Sequence, residues 1–290
     1  MILITGAKGQ LGYDFQKLFD SLGKKYLATD YDTLDITDIS AVDMYIVNNI
    51  IGKGEQLELI INCAAYNNVD RAEEEREMCY KLNAYAPRDL ALLAKKYGAE
   101  YITYSTDFVF DGEKRVDGKN VPYTEEDLPN PLSVYSQAKR EGEILTLEAY
   151  GKSFVVRTSW VFGVANNNFN KQVLGWASTR DKLSIVDDQV SAPTYSRDLA
   201  FYSWELIKSK KYGLYHLANN GVASKYDQAK YLLDGTGWKG ELSRGKTSDF
   251  PLPAKRAPYS KLDSSKIEAV IGMKIPEWQD GIDRYMEETK

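Results

Sequence analysis

The chain opens on a short apolar run, Ile2-Leu3-Ile4-Thr5, that passes directly into Gly6-Ala7-Lys8-Gly9-Gln10-Leu11-Gly12. A buried strand handing over to glycines spaced G-x-x-G-x-x-G, ahead of a helix-period stretch, constrains the fold more than any other feature. Glycines at this junction allow a tight turn, close approach of the backbone to a pyrophosphate, and close packing of helix on strand. The helix N-terminus then turns its positive dipole end toward the phosphates. Further apolar runs at 26–29, 57–63, 101–104 and 153–158 alternate with helix-period stretches at about 11–22, 38–51, 71–97 and 132–150. Such alternation implies right-handed crossovers between parallel strands. The predicted class is α/β, a Rossmann-type doubly wound parallel sheet.

Beyond residue 160 the rhythm loosens. Short strands are expected near 183–186 and 213–217, and helices at about 168–179, 196–209, 224–234 and near the C-terminus. The glycine- and proline-rich stretch 235–258 reads as irregular loop. The expected organisation is a dinucleotide-binding domain over 1–160, with parts of 190–215 returning to it, and an interleaved substrate domain over 161–290. At 290 residues the chain is long enough for its own core without disulfides or structural metal.

Composition narrows the chemistry. A net charge of −5 argues against nucleic-acid binding, and Lys208 to Lys211 is too short a basic run to reverse that. No segment is apolar for long enough to span a membrane, and the N-terminus lacks the pattern of a secretory leader. The two cysteines, Cys63 and Cys79, form no disulfide framework, so a cytoplasmic protein is expected. The single histidine, His216, rules out a multi-histidine metal site and leaves any acid or base to a carboxylate, lysine or tyrosine.

Two features specify the ligand further. Asp30 ends the second predicted strand, where a carboxylate can accept hydrogen bonds from ribose hydroxyls and would repel a 2′-phosphate. Nearby Lys8, Lys24 and Lys25 blunt that preference. In Tyr135-Ser136-Gln137-Ala138-Lys139, the tyrosine and lysine lie one helical turn apart on one face. A cation there stabilises a phenolate and lowers the phenol pKa, making the tyrosine usable as a general acid for a carbonyl oxygen that receives hydride. Tyr104-Ser105-Thr106-Asp107 closes the fourth predicted strand at the sheet edge where open α/β folds bind ligands, and its hydroxyls can reach the same oxygen.

In these motifs the sequence resembles the extended short-chain dehydrogenase/reductase superfamily, and within it the dTDP-4-dehydrorhamnose reductase family. The resemblance runs through Leu34-Asp35-Ile36-Thr37-Asp38, Asn62-Cys63-Ala64-Ala65-Tyr66, Ser105-Thr106-Asp107, Arg157-Thr158-Ser159-Trp160 and Gln189 with Pro193-Thr194. It implies that Tyr135 donates the proton, Lys139 activates it, and Thr106 is the third catalytic hydroxyl. It implies a cofactor site of Gly6, Gly9, Gln10, Leu11, Gly12, Asp30, Asp35, Ile36, Ala64, Ala65 and Tyr66 with Tyr135 and Lys139. Thr106, Asp107, Trp160, Asn168 and Arg256 would contact a nucleotide-sugar. NADPH or NADH would be the cofactor, and some members are homodimers with a divalent ion such as Mg; a monomer or homodimer is expected here, with no metal ligands assigned.

Phe108 departs from the Thr-Asp-Glu of related dehydratases, so water elimination lacks its acid. Ser136 and Ser191 stand where the family usually has glycine, and Arg256 begins a loosened motif. The alternatives are another 4-keto-6-deoxysugar reductase or epimerase, or a regulatory subunit resembling that of methionine adenosyltransferase, which has no need of the Thr106, Tyr135 and Lys139 set. Glu73-Glu74-Glu75 is read as a solvated helix face, Cys63 as small packing and His216 as structural.

Overall fold

Alternating residues of the first strand enter two different cores, which fixes a sheet covered on both faces. In the computed structural model, which describes residues 1–290, Ile2 and Ile4 pack into one apolar cluster and Leu3 into another. The sheet has six parallel strands in the spatial order Gly213–His216, Ser153–Thr158, Glu100–Thr106, Leu59–Asn62, Ile2–Thr5, Tyr26–Thr29. The α/β class is as expected. The order reverses beside Ile2–Thr5, and such a switch point leaves a crevice at the carboxyl ends of the strands.

Ten α-helices accompany the sheet: α1 (Gln10–Ser21), α2 (Ile39–Asn49), α3 (Arg76–Tyr80), α4 (Ala86–Tyr97), α5 (Val134–Ala149), α6 (Phe169–Ala177), α7 (Ser196–Ser209), α8 (Lys225–Thr236), α9 (Ser265–Ile271) and α10 (Trp278–Glu288). Phe15 and Phe19 of α1 and Leu199 and Leu206 of α7 cover one face of the sheet. Val42 and Ile46 of α2 and Leu90 and Ala94 of α4 cover the other. A separate core of Phe162, Val173, Tyr195, Leu232 and Trp278 forms among α6, α8 and α10.

Two stretches differ from the pattern reading. The helix expected over 71–97 is broken into a 3-10 turn, α3, a π-helical segment Lys81–Tyr85, and α4. The π segment sits where α5 crosses closely: a Cβ on Gly142 would lie 2.1 Å from the Asn83 carbonyl oxygen. Within 235–258, read as loop, Glu241–Gly245 forms a strand parallel to Lys182–Val186. Its partner lies far away in sequence, so no local periodicity announces it.

The acidic run is not simply solvated. Glu73 Oε1 accepts the Val134 N–H at 2.9 Å, satisfying the start of α5, and Glu75 accepts the Tyr66 hydroxyl at 2.7 Å. His216 is fully buried, with Nδ1 3.0 Å from the Tyr123 carbonyl oxygen and Nε2 3.2 Å from Arg157 Nη1. Burial and the adjacent guanidinium push its pKa down to about 3, so the ring is neutral.

Candidate active site

The glycine loop holds its shape because two positions exclude a side chain. Gly6 has φ +68°, and a Cβ there would lie 2.5 Å from the Ala64 backbone nitrogen. A Cβ on Gly12 would lie 2.3 Å from the Gly6 carbonyl oxygen, where α1 packs against the loop. This close packing opens a cleft of about 490 Å³ lined by Gly6, Gly9, Asp30, Asp35, Ile36, Ala64, Ala65 and Tyr66 among others. Asp30 accepts the backbone N–H groups of Lys8 and Tyr31 at 2.8 and 2.9 Å. Asp35 is held below the ordinary carboxylate range, chiefly by the Thr37 N–H.

A second cleft of about 430 Å³ shares Gly9, Cys63, Ala65, Asn67 and Asn166 with the first, so the two are continuous. Its walls include Gln10, Leu11, Thr106, Asp107, Tyr135, Lys139, Trp160 and Asn168. The strand end, the first turn of α5 and the loop after Thr158 converge there. Ser133 caps α5 through a reciprocal pair with Ser136, which places Tyr135 in its first turn. Ser136, where the family usually has glycine, therefore serves the cap.

Thr106 Oγ1 accepts the Phe108 N–H at 3.1 Å and donates to Asp107 at 3.2 Å. Asp107 is buried, and its other oxygen accepts from Ser191 at 2.9 Å and Ser260 at 2.5 Å. Burial lifts its carboxyl to about 6 against the pull of these hydroxyls. Burial and the Asp107 charge raise the Tyr135 phenol well above its ordinary value. Burial also lowers Lys139 to about 8, and its ammonium donates to the Tyr104 carbonyl at 3.0 Å. The lysine is thus directed at backbone, and desolvation outweighs the phenol lowering anticipated from Y-x-x-x-K alone. A phenol that keeps its proton at neutral pH suits a donor.

Cys63 lines both clefts, but burial raises its thiol, against a nucleophilic role. Asn168 caps α6 and donates to the Gly163 carbonyl at 2.7 Å. Gly12 lies behind the loop, and Arg256 is not among the residues lining either cleft. The Arg256 guanidinium is engaged by Asp70, at 2.9 and 2.6 Å. Ser191, Ser260 and Lys225 are site neighbours that the sequence reading did not select. Lys225 Nζ sits 3.6 Å from the Trp160 ring centroid. A larger cavity of about 730 Å³, walled by α1, α7 and α10, lies away from these groups. No group of three or more His, Cys, Asp or Glu is placed to hold a metal ion.

A doubly wound sheet with this glycine loop and a buried Tyr-x-x-x-Lys beside a strand-end threonine defines an extended short-chain dehydrogenase/reductase. Residues 1–290 match the family described as RmlD substrate binding domain, and the chain belongs to that family. It is 38% identical to a dTDP-4-dehydrorhamnose reductase of Aggregatibacter actinomycetemcomitans, covering 96% of this chain and 95% of the relative. The crystal structure of a dTDP-4-dehydrorhamnose reductase from Clostridium acetobutylicum superimposes with a TM-score of 0.92 at 38% identity, covering 99% of each chain. A Bacillus anthracis dTDP-4-dehydrorhamnose reductase in complex with NADP superimposes with a TM-score of 0.91 at 34% identity, covering 99% of this chain and 98% of that one. No helix is long and apolar enough to cross a membrane.

Proposed function

We propose that this chain reduces the C4 ketone of dTDP-4-dehydro-L-rhamnose to dTDP-L-rhamnose, using NADPH or NADH. The observation that carries the reading is the continuity of the two clefts: glycine loop at one end, Thr106, Asp107, Tyr135 and Lys139 at the other. The residues present fit a dinucleotide. A Cβ on Gly6 would collide with the Ala64 backbone, so the loop is held open in the form that lets backbone N–H groups reach a pyrophosphate. Gly6, Gly9, Gln10, Leu11, Asp30, Asp35, Ile36, Ala64, Ala65 and Tyr66 would hold it, with Gly12 packing the loop from behind. When bound, the dinucleotide supplies the hydride.

The chain's own residues do the rest. Tyr135 gives its hydroxyl proton to the oxygen of the ketone as C4 becomes a carbinol carbon. Thr106 orients the same oxygen by hydrogen bond. Lys139, one turn along α5, stabilises the phenolate that remains and holds the nicotinamide ribose. Asp107, fixed by Ser191 and Ser260, and Trp160 position the deoxyhexose. Asn168 contributes from the substrate side, and Arg256, held by Asp70, braces that side without lining the cleft. Residues 1–160, with returning segments, serve the dinucleotide; 161–290 serve the nucleotide-sugar. A cytoplasmic setting suits two unpaired cysteines. The test is direct: mix protein, dTDP-4-dehydro-L-rhamnose and NADPH or NADH, and follow loss of reduced-cofactor absorbance. Absence of oxidation with either cofactor would refute the assignment.

A further inference from the structure

Lys225 is a half-buried lysine whose ammonium forms no ion pair. It is the first residue of α8, and Ser224 and Asp227 cap that helix reciprocally, the Asp227 carboxylate being used at 2.8 and 3.0 Å by Ser224 itself. The Lys225 ammonium lies 3.6 Å from the ring centroid of Trp160 and 4.6 Å from that of Phe169. It makes no hydrogen bond, and no carboxylate lies within the 4.0 Å of an ion pair. Burial pulls its pKa down to about 7; Asp107 attracts it from farther off, but that carboxylate already accepts three hydroxyls, from Thr106, Ser191 and Ser260.

The surroundings indicate what is missing. Cation–π contact offsets part of the desolvation of an ammonium but satisfies none of its three N–H donors. Trp160, the ring beneath it, is a wall of the catalytic cleft and holds a left-handed φ of +44°, unusual for a large residue. Its indole N–H is buried without a partner. Unsatisfied donors of this kind are costly unless a ligand completes them. Arg256, the other cation on this side, is already neutralised by its two-pronged contact with Asp70. Hydroxyl groups at Thr106 and Tyr135 suffice for the reacting carbon, which leaves the charged portion of the substrate without a counter-charge.

We propose that Lys225, seated on Trp160 in the wall of the cleft, is the cation that receives the diphosphate of the nucleotide-sugar. This rests on the nucleotide-sugar reading above. It makes Lys225 a substrate-affinity residue that leaves the hydride and proton steps to others.

The test is calorimetric binding of thymidine diphosphate to the wild-type protein and to Lys225→Met, which keeps the apolar stem on the two rings. Loss of a charge-assisted contact predicts affinity weakened by about 10- to 100-fold. Thymidine, lacking phosphates, should bind both proteins alike, and the affinity for NADPH should be unchanged, which also reports folding. Lys225→Gln, with a polar uncharged head, is held to the same ratio should the methionine variant not fold. Equal binding of thymidine diphosphate by wild type and variant would overturn this inference alone. No binding by the wild type would overturn the nucleotide-sugar reading and this inference with it.

Discussion

Glu143 is fully buried on α5, one turn beyond Lys139, and its two oxygens collect four donors. Oε1 accepts Ser105 Oγ at 2.6 Å and Arg157 Nε at 2.8 Å; Oε2 accepts Arg157 Nη2 at 2.7 Å and Arg140 Nη1 at 2.9 Å. The Arg157 side chain is 1% exposed, and its remaining polar neighbour, His216, is neutral and cannot replace the carboxylate. Glu143→Ala therefore strands a guanidinium in the core. Breaking a buried pair on one side costs about 3–5 kcal/mol. With an unfolding entropy of roughly 0.6 kcal/mol/K for a chain of this size, Tm should fall by about 5–8 °C.

The assay is thermal and urea unfolding of wild type, Glu143→Ala and the double variant Glu143→Met/Arg157→Met. The double variant removes both charges and should recover most of the loss, since apolar replacement of a buried pair is near neutral. Because Ser105 precedes Thr106, kcat should fall in the single variant beyond what its folded fraction explains. A loss below about 1 kcal/mol, under the range for a broken buried pair, or a double variant no more stable than the single one, would refute the reasoning.

Tyr135→Phe should retain NADPH affinity while turnover falls by about 10² or more; wild-type rates would remove Tyr135 from the mechanism. Gly12→Ala places a Cβ 2.3 Å from the Gly6 carbonyl oxygen, so it should cost about 1–3 kcal/mol in urea unfolding and weaken NADPH binding in a titration. The Asp107 carboxyl is lifted by burial to about 6, above its unfolded value of 3.8. Between those values the folded protein holds the proton that the unfolded chain has released, so this group's contribution to stability falls as pH rises from about 4 to 6. The loss is about 3 kcal/mol at 1.4 kcal/mol per pKa unit. Asp107→Asn should flatten that part of a stability–pH curve; Asp14, likewise raised to about 6, should leave a remainder.

The candidate site was legible in sequence wherever its proposed chemistry is local. Tyr135 and Lys139 lie within one turn of one helix, and Ser105 to Asp107 close one strand. Their spacing follows from helix and strand periods that the chain carries residue by residue. The Asp107 cradle was not legible. Ser191 and Ser260 come from segments 84 and 153 residues away, and the motifs around them give no pointer to Asp107. Arg256 had a motif to recommend it, yet only the packed chain brings Asp70 to its guanidinium, 186 residues away.

The sequence by itself therefore determined the α/β class, the strand-to-helix glycine turn and the placing of Tyr135 and Lys139 on one helix face, because each depends on periodicity or on sterics within a few residues. Tertiary structure decided the protonation of those groups and the company they keep. Burial, which no local spacing encodes, raises the Tyr135 phenol and lowers Lys139. Long-range packing sets the Lys225 ammonium on Trp160, 65 positions apart in the chain, and directs Lys139 at the Tyr104 carbonyl. Charge and hydrogen bonding act through space, and only the folded chain defines the distances over which they act.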